Sequence, residues 1–518
     1  MKGENEVSRF RGAVLGLVTA GFAVGVGHLV AAVVAHGGSP IVAVGQAAID
    51  RAPVWLKEFA IETFGERDKL ALLLGMAAVL VVAAAILGIA AVRRPRLGYG
   101  GLVALGAIGA AAALTRAGAG PASALPSLIG AGAGTAAFWR LRGALPSPAA
   151  TPATDMPPAA EPSGMVDRRS FFRSAAGGIV LATFAGGLGT YLIRRADAGD
   201  SRAKVGVPEP ESSATDVPGA GLDVEGTEPF FTPNDRFYKV DTTFVTPSVM
   251  AEDWSLNIHG MVDTPITLTY ADLLARPMIE RDITLACVSN PVGGEYIGNA
   301  RWIGTSLAAL LEEAGIDPGS DQLVSKSVDG WTCGTPTSVV MDGRDALLAV
   351  AMNGEPLPIA HGFPVRMVVP GLYGYVSATK WVVDIEATTF DAFDAYWIKR
   401  GWGQQAPIKT QSRIDTPAGG KRQAAGEIAV AGIAWAQHRG IDRVEVQVDD
   451  LPWVEADLAD EATVDTWRLW VYRWQATPGE HTLRVRATDG TGETQPETYQ
   501  APFPDGATGL HSVKVTVP

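Results

Sequence analysis

Along its first two hundred residues the chain alternates long apolar runs with short polar stretches. Ala13–Ala35, Leu70–Val92, Gly98–Leu114, Ala122–Trp139 and Ser174–Ile193 each approach the ~20 residues that cross a ~30 Å hydrocarbon layer, which predicts five membrane crossings. The third and fourth runs are short and rich in Gly and Ala, a composition that lets helices pack closely in lipid. Lys2, Arg9 and Arg11 precede the first run, Arg93, Arg94 and Arg96 follow the second, and Arg140, Arg142, Arg168, Arg169 and Arg173 lie between the fourth and fifth. With five crossings these groups share one side, and because Lys and Arg resist translocation that side is the cytoplasm. The segment 36–69 also carries acids, as in IDRAPVWLKEFAIETFGERDK, and reads as an outside loop with an amphipathic helix.

The pattern then changes. WSLNIHGMV and TPITLTYADLLA predict strand, turn and helix start, SLAALLEEAG a short helix ended by Gly315, and PVRMVVPG and TKWVVDIEA two further strands. From about Gly403 only strand patterns remain, in EIAVAGIAWA, DRVEVQVDD, TWRLWVYRW, HTLRVRATDG and HSVKVTV, as in a sandwich of immunoglobulin type. The expected architecture is multi-domain: a transmembrane α-helical bundle over 1–146, a linker with the last crossing over 147–200, a second linker over 201–226, an α+β domain over 227–402 and an all-β sandwich over 403–518. His438 and His481 lack ligand-spaced neighbours and read as surface or turn residues.

Charge sharpens this division. The 518 residues carry 42 Lys and Arg against 55 Asp and Glu, a formal charge of −13. Residues 1–200 hold 18 basic and 12 acidic side chains and residues 201–518 hold 24 and 43, so the polar half is strongly acidic. This argues against nucleic acid as its partner, because phosphate binding needs Lys and Arg to release counterions. Asp167 to Arg173, DRRSFFR, resembles a twin-arginine export signal placed internally; the alternative is that Arg168 and Arg169 only mark the cytoplasmic side. On this reading the chain is a multi-pass cell-membrane protein whose C-terminal half is extracytoplasmic.

Two groups of residues carry candidate chemistry. Cys287 ends the strand-like ERDITLAC and opens the turn-rich VSNPVGGEYIGN. Disulfide with Cys333, buried free thiol, nucleophile and soft metal ligand all remain open for it. The second group is His361 with Arg366, the Gly-rich Val369–Gly374, and Lys380 with Trp381. Cations brought together by glycine loops suit a buried phosphate, and a solvated scatter of charge is the plain alternative. His28 and His36, on or near the first crossing, read as helix-packing or interfacial residues, and haem is not predicted.

FTPNDRFY at Phe231–Tyr238, TLACVSN at Thr284–Asn290, RWIGTSLAALLEEAGI and AMNGEPLPIAHGFPVRMVVPGLYGYVSATKWV together resemble the molybdopterin-binding domain of the sulfite oxidase family. The following sandwich resembles that family's dimerisation domain, and the likeness covers about residues 225–518. The resemblance implies that Cys287 is the catalytic thiolate ligand of molybdenum, which argues against the disulfide. It further implies that Asn234, Phe237, Tyr238 and Asp329 line the pterin, and that His361, Arg366, Ala378, Thr379 and Lys380 hold it and its phosphate. The implied function is a membrane-anchored molybdenum-molybdopterin oxidoreductase performing two-electron oxygen-atom transfer on a small extracytoplasmic substrate. Its electrons would pass to a cytochrome or quinone-linked carrier, and a homodimer would form through the C-terminal domain. The alternative is a non-catalytic receptor or adhesion protein with a degenerate pterin fold.

Departures bear on substrate. Where sulfite oxidases continue into paired arginines after the cysteine and into Arg-Asn-His after Phe-Tyr, this chain has Val-Ser-Asn-Pro-Val-Gly-Gly and Lys239-Val240-Asp241-Thr242. An oxyanion wants a positive pocket. The pattern is closer to the bacterial branch that contains sulfoxide reductases, although the added sandwich domain is unlike those enzymes, and sulfite-type oxidation and sulfoxide-type reduction both stay open. Lys239 and Arg301 read either as replacements for a lost arginine or as surface salt-bridge partners. Cys333 stands near a substrate-pocket tyrosine of the sulfite enzymes and reads as an inert small residue.

Overall fold

The computed structural model describes residues 2–34, 38–53, 56, 59–60, 63–64, 68–116, 119–143, 168–195 and 198–518. The chain forms two compact units. One comprises Met1–Asp197 with Thr242–Val245, the other Ala198–Asp241 with Thr246–Pro518.

The first unit is helical: α1 (Lys2–Val34), α2 (Pro40–Arg51), α3 (Asp68–Arg93), α4 (Pro95–Leu114), α5 (Leu125–Gly143) and α6 (Arg168–Arg195). All five apolar runs lie on helices, and α1 is the hub against which α3, α5 and α6 pack. Among the described residues three segments are long and apolar enough to cross a membrane, Ser8–Val34, Lys69–Arg93 and Pro95–Leu114. Between the first two runs the described residues include the helix Pro40–Arg51, within the segment 36–69 expected to carry one; residues 54–55, 57–58, 61–62 and 65–67 lie outside the described residues. The linker Ser147–Gly164 and Asp167 of the twin-arginine-like segment also lie outside them, as do the side chains of 168–172 and the whole of His36. His28 bonds Ser39 through Nδ1 (3.1 Å) and Thr190 through Nε2 (3.2 Å), so both ring nitrogens are engaged between helices.

Small residues bring α1 and α3 together. A Cβ on Gly16 would overlap the carbonyl of Ala84, and one on Gly88 would overlap the carbonyl of Gly12. Such backbone contact is the usual way in which apolar helices associate where no hydrophobic drive exists between them.

The second unit contains four sheets. The first orders its strands β2 (Ile266–Thr269), β1 (Ser255–Gly260), β10 (Val382–Thr388), β5 (Gln322–Ser327) and β6 (Thr332–Pro336), with β1 and β10 parallel and the other pairs antiparallel. The second orders β3 (Met278–Ala286), β4 (Ile297–Ser306), β7 (Leu347–Met352) and β8 (Glu355–Pro356), with β9 (Arg366–Val368) also on β7. Between them α7 (Leu307–Ala314) starts where the Ser306 hydroxyl accepts the Ala309 N–H (3.2 Å). It ends at Gly315, whose φ of +66° a side chain would oppose.

The C-terminal segment is a sandwich of two antiparallel four-stranded sheets. One orders β11 (Gln411–Thr416), β12 (Gly426–Trp435), β16 (Arg468–Ala476) and β15 (Asp457–Leu458). The other orders β14 (Val454–Glu455), β13 (Ile441–Val448), β17 (Gly479–Asp489) and β18 (His511–Val517). Strand β11 was not expected: QSRIDT lacks a clean apolar alternation and is held by its pairing with β12. Val430 and Trp470 of one sheet meet Val446, Leu483 and Val515 of the other in a shared core. A second core is continuous from the first two sheets into Ile433, Trp435, Trp467 and Leu469 of the sandwich.

Replacing Gly88 by Leu is expected to force α1 from α3 and destabilise the helical unit by about 1–3 kcal/mol, the usual cost of overpacking. Gly75→Leu, on the same helix with nothing within 4 Å of its added Cβ, is expected to be neutral. Thermal unfolding of the two detergent-solubilised variants checks the contrast.

Candidate functional site

Cys287 follows directly on β3 and is 8% exposed, and both it and Cys333 are free thiols. The disulfide is thereby ruled out. The Cys287 backbone N–H donates to the carbonyl of Tyr296 (2.9 Å), which closes the loop 287–296 at its base. Burial pushes the thiol upward, opposed by hydrogen bonds from Ser289 and by the charge of Lys380. Cys333 lies on β6 with Sγ 3.7 Å from the Thr335 hydroxyl, fully buried.

Beside the thiol the structure assembles the second group. Phe237 is buried, stacked on Tyr238 (centroids 5.3 Å) and edge-on to Trp302 (5.8 Å) and His361 (5.6 Å). His361 hydrogen-bonds the carbonyl of Asn234 through Nε2 (3.0 Å), which places the proton on that nitrogen and leaves Nδ1 an acceptor. Burial, with Arg366 and Lys380 adding repulsion, pulls the imidazole down to about 3, so it is neutral at ordinary pH. Asn234 is itself held by Asn353, whose Nδ2 donates to its Oδ1 (2.9 Å) and to the carbonyl of Thr232 (2.9 Å).

Arg366 is the unusual member. It is 5% exposed, its Nη1 donates to the carbonyl of His361 (3.2 Å), its Nη2 to that of Ala378 (3.4 Å), and its Nε has no partner. The guanidinium lies over Trp302 at 5.0 Å, and among the described residues no carboxylate pairs with it. Burial accordingly draws its pKa down to about 10. A buried cation without an anion is costly, so this arrangement is incomplete by itself.

Lys380 ends the same wall. Its Nζ donates to Asp241 (2.8 Å) and to the carbonyl of Ala360 (3.3 Å). Thr379 is fully buried, its hydroxyl is bonded to Ser325 (2.7 Å) and its carbonyl accepts the Met367 N–H (2.8 Å), so only its backbone N–H is left for a ligand. Asp329 sits in the turn between β5 and β6, accepts the Trp331 N–H (3.2 Å), and is tied to this wall through Val328 N–H to the carbonyl of Trp381 (3.0 Å). Of the two readings for Arg301, replacement cation or salt-bridge partner, the structure shows the second. It binds both oxygens of buried Asp282 (2.8 and 3.0 Å) and also Asp216 (2.7 Å).

Two residues were not legible in advance. Trp302 provides the platform for Arg366 and Phe237, and Asn353 fixes Asn234 from a left-handed φ of +51°. The Asn-Gly pair of AMNGEP was the available signal for the second. Gly374, the last residue of the Gly-rich stretch, lies where an added Cβ would stand 3.7 Å from the Tyr238 hydroxyl, the Ala286 carbonyl and the Ala378 side chain.

Residues 243–397 match the model described as the oxidoreductase molybdopterin binding domain. That range includes Cys287, Asp329, His361, Arg366 and Lys380, while Asn234, Phe237 and Tyr238 precede it. The crystal structure of the sulfane dehydrogenase SoxCD from Paracoccus pantotrophus aligns with a TM-score of 0.49 at 23% identity, over 59% of this chain and 88% of that one. Mitochondrial sulfite oxidase of Mus musculus is 29% identical over 321 residues, which are 52% of this chain and 58% of the mouse enzyme. The chain thus spans little more than half the length of that relative. The uncharacterized oxidoreductase YuiH of Bacillus subtilis is 34% identical over 149 residues, covering 29% of this chain and 72% of YuiH. With the domain match, the sulfite oxidase relatives and most of YuiH covered, the chain belongs to the sulfite oxidase family of molybdopterin-binding oxidoreductases.

Proposed function

We propose that this protein is a membrane-anchored oxidoreductase whose Cys287 binds molybdenum carried by a pterin and which transfers an oxygen atom to or from a small extracytoplasmic substrate. The observation that carries the reading is a free, buried thiol beside a buried guanidinium that lacks its anion. The residues fit the group. Among the described residues no three His, Cys, Asp or Glu side chains converge as a metal site, so a metal at Cys287 needs its other ligands from a cofactor. The cofactor's phosphate supplies the negative charge that Arg366 lacks.

Bound there, the molybdenum centre supplies two-electron redox chemistry with exchange of an oxygen atom. The protein's part is orientation and electrostatics. Cys287 gives a soft thiolate, which metal coordination keeps ionised where burial alone would not. Arg366 and Lys380, with the backbone N–H of Thr379, hold the phosphate, while Ala378, whose N–H donates to the Gly374 carbonyl and whose carbonyl accepts from Arg366, aims the guanidinium. Asn234, Phe237, Tyr238 and Asp329 line the pterin, and His361, neutral, offers an acceptor rather than a second charge. Arg301 is committed to Asp282 and Asp216, which leaves one fewer cation for an oxyanion and favours an uncharged sulfoxide over sulfite. The apolar helices would anchor the enzyme with its catalytic half outside, delivering electrons to or from a cytochrome or quinone-linked carrier. The sandwich, read as immunoglobulin-like, would serve self-association.

Purified full-length protein is expected to contain molybdenum, and Cys287→Ser to lower turnover by about a hundredfold or more, since even loss of supporting partners around a metal costs 10–100-fold. Reoxidation of the reduced enzyme by dimethyl sulfoxide supports the sulfoxide direction, and reduction of the oxidised enzyme by sulfite the other. Protein without molybdenum, and equally active as Cys287→Ser, would be the receptor alternative.

Arg366→Met is expected to leave the melting temperature of cofactor-free protein unchanged or raised, because an uncompensated buried charge is removed. The same variant should retain about tenfold less pterin phosphate. Calorimetry of the cofactor-free form and pterin fluorescence of the loaded form give the two readings.

A further inference from the structure

The loop behind Cys287 is gripped from outside its own sheet. Internally it is a compact turn: Asn290 N–H donates to the carbonyl of Cys287 (3.1 Å), Tyr296 N–H to the Asn290 side chain (2.9 Å), and Gly294 N–H to the carbonyl of Pro291 (2.9 Å). Its tip meets the C-terminal sandwich. Arg413 on β11 donates from Nη1 to the carbonyl of Gly294 (2.9 Å). The ring of His511, at the start of β18, lies flush against Gly293, where a Cβ would overlap it and where φ is +75°.

Both side chains are themselves fixed. Arg413 is 6% exposed and held by Asp415 (2.6 Å) with Glu228 farther off (3.8 Å). His511 accepts the Ile414 N–H at Nδ1 (3.0 Å), which sets the plane of the ring and ties β18 to β11. The strand that enters the loop is held by the same sandwich. Thr284, three residues before Cys287, donates its N–H to the carbonyl of Asp465 (2.9 Å), and its hydroxyl accepts the Trp467 N–H (2.8 Å). Its carbonyl accepts from Gln437 (3.2 Å). The thiol therefore lies between two anchor points, both supplied by the sandwich.

We propose that Arg413 and His511 are positioning residues: by holding Gly294 and Gly293 they fix the loop of Cys287, so that the sandwich is part of the scaffold that aims the sulfur. The inference rests on the reading of Cys287 as the metal's thiolate. It assigns the sandwich a task beyond self-association, one that a monomer would still need.

The test uses loaded full-length protein and three variants. Arg413→Lys keeps a charge beside Asp415 and loses the bond to Gly294. His511→Ala removes the ring, and Gly293→Ala drives a methyl into it. The molybdenum(V) electron paramagnetic resonance spectrum and the metal's reduction potential are expected to shift in all three, with molybdenum retention down about tenfold, as for loss of supporting partners elsewhere. The double variant His511→Ala/Gly293→Ala is expected to move back toward wild type, because the methyl then enters the space the ring has left. Backbone strain at position 293 is common to the single and double variants that carry Gly293→Ala, and cancels in that comparison. Wild-type spectrum and potential in Arg413→Lys and His511→Ala, with only the melting temperature lowered, would overturn the proposal. A spectrum that Cys287→Ser leaves unchanged would instead sink the underlying assignment of the sulfur, whatever the other variants do.

Discussion

A guanidinium at Arg366 sits in the interior, bonded to two carbonyls and a tryptophan face, and among the described residues no acid balances it. Proteins rarely keep such a group, since burying an unpaired charge costs several kcal/mol. Much of the surrounding architecture makes sense as accommodation of that imbalance. His361 is held neutral beside it, Lys380 is neutralised by Asp241, and Phe237 packs its ring against those of Trp302 and Tyr238. On the function proposed above, an anion arriving with the cofactor would complete the set, and the free thiol of Cys287 would give that cofactor's metal a single protein ligand.

The site is shared between parts of the second unit that the chain order keeps far apart. Residues 234–238 reach His361, Trp302 lies between Arg366 and Phe237, and the sandwich reaches back to Thr284 and Gly294. The continuous core through Trp435, Trp467 and Leu469 makes this possible, because it gives the sandwich a rigid seat against the strand that ends at Cys287. Precision at a metal site depends on such second-layer support, not on the ligand alone.

What was legible in the sequence follows from locality. The helix of SLAALLEEAG, with its Ser306 cap and Gly315 stop, is encoded within ten residues and forms as read. The apolar runs of the first two hundred residues likewise declare helices by length alone. Strand β11 depends on β12 for its existence, and the roles of Trp302, Asn353, Arg413 and His511 depend on partners distant in the chain, which no periodicity announces. The free state of both cysteines was likewise settled by tertiary placement: Cys333 is committed to the interior of its sheet beside Thr335.

The central claim is that a molybdenum atom is bonded to the sulfur at position 287. X-ray absorption at the molybdenum edge, on oxidised full-length protein, counts sulfur neighbours directly. The account predicts one fewer sulfur around the metal in Cys287→Ser than in the natural chain, with pterin content preserved. An identical count in the two proteins would contradict it.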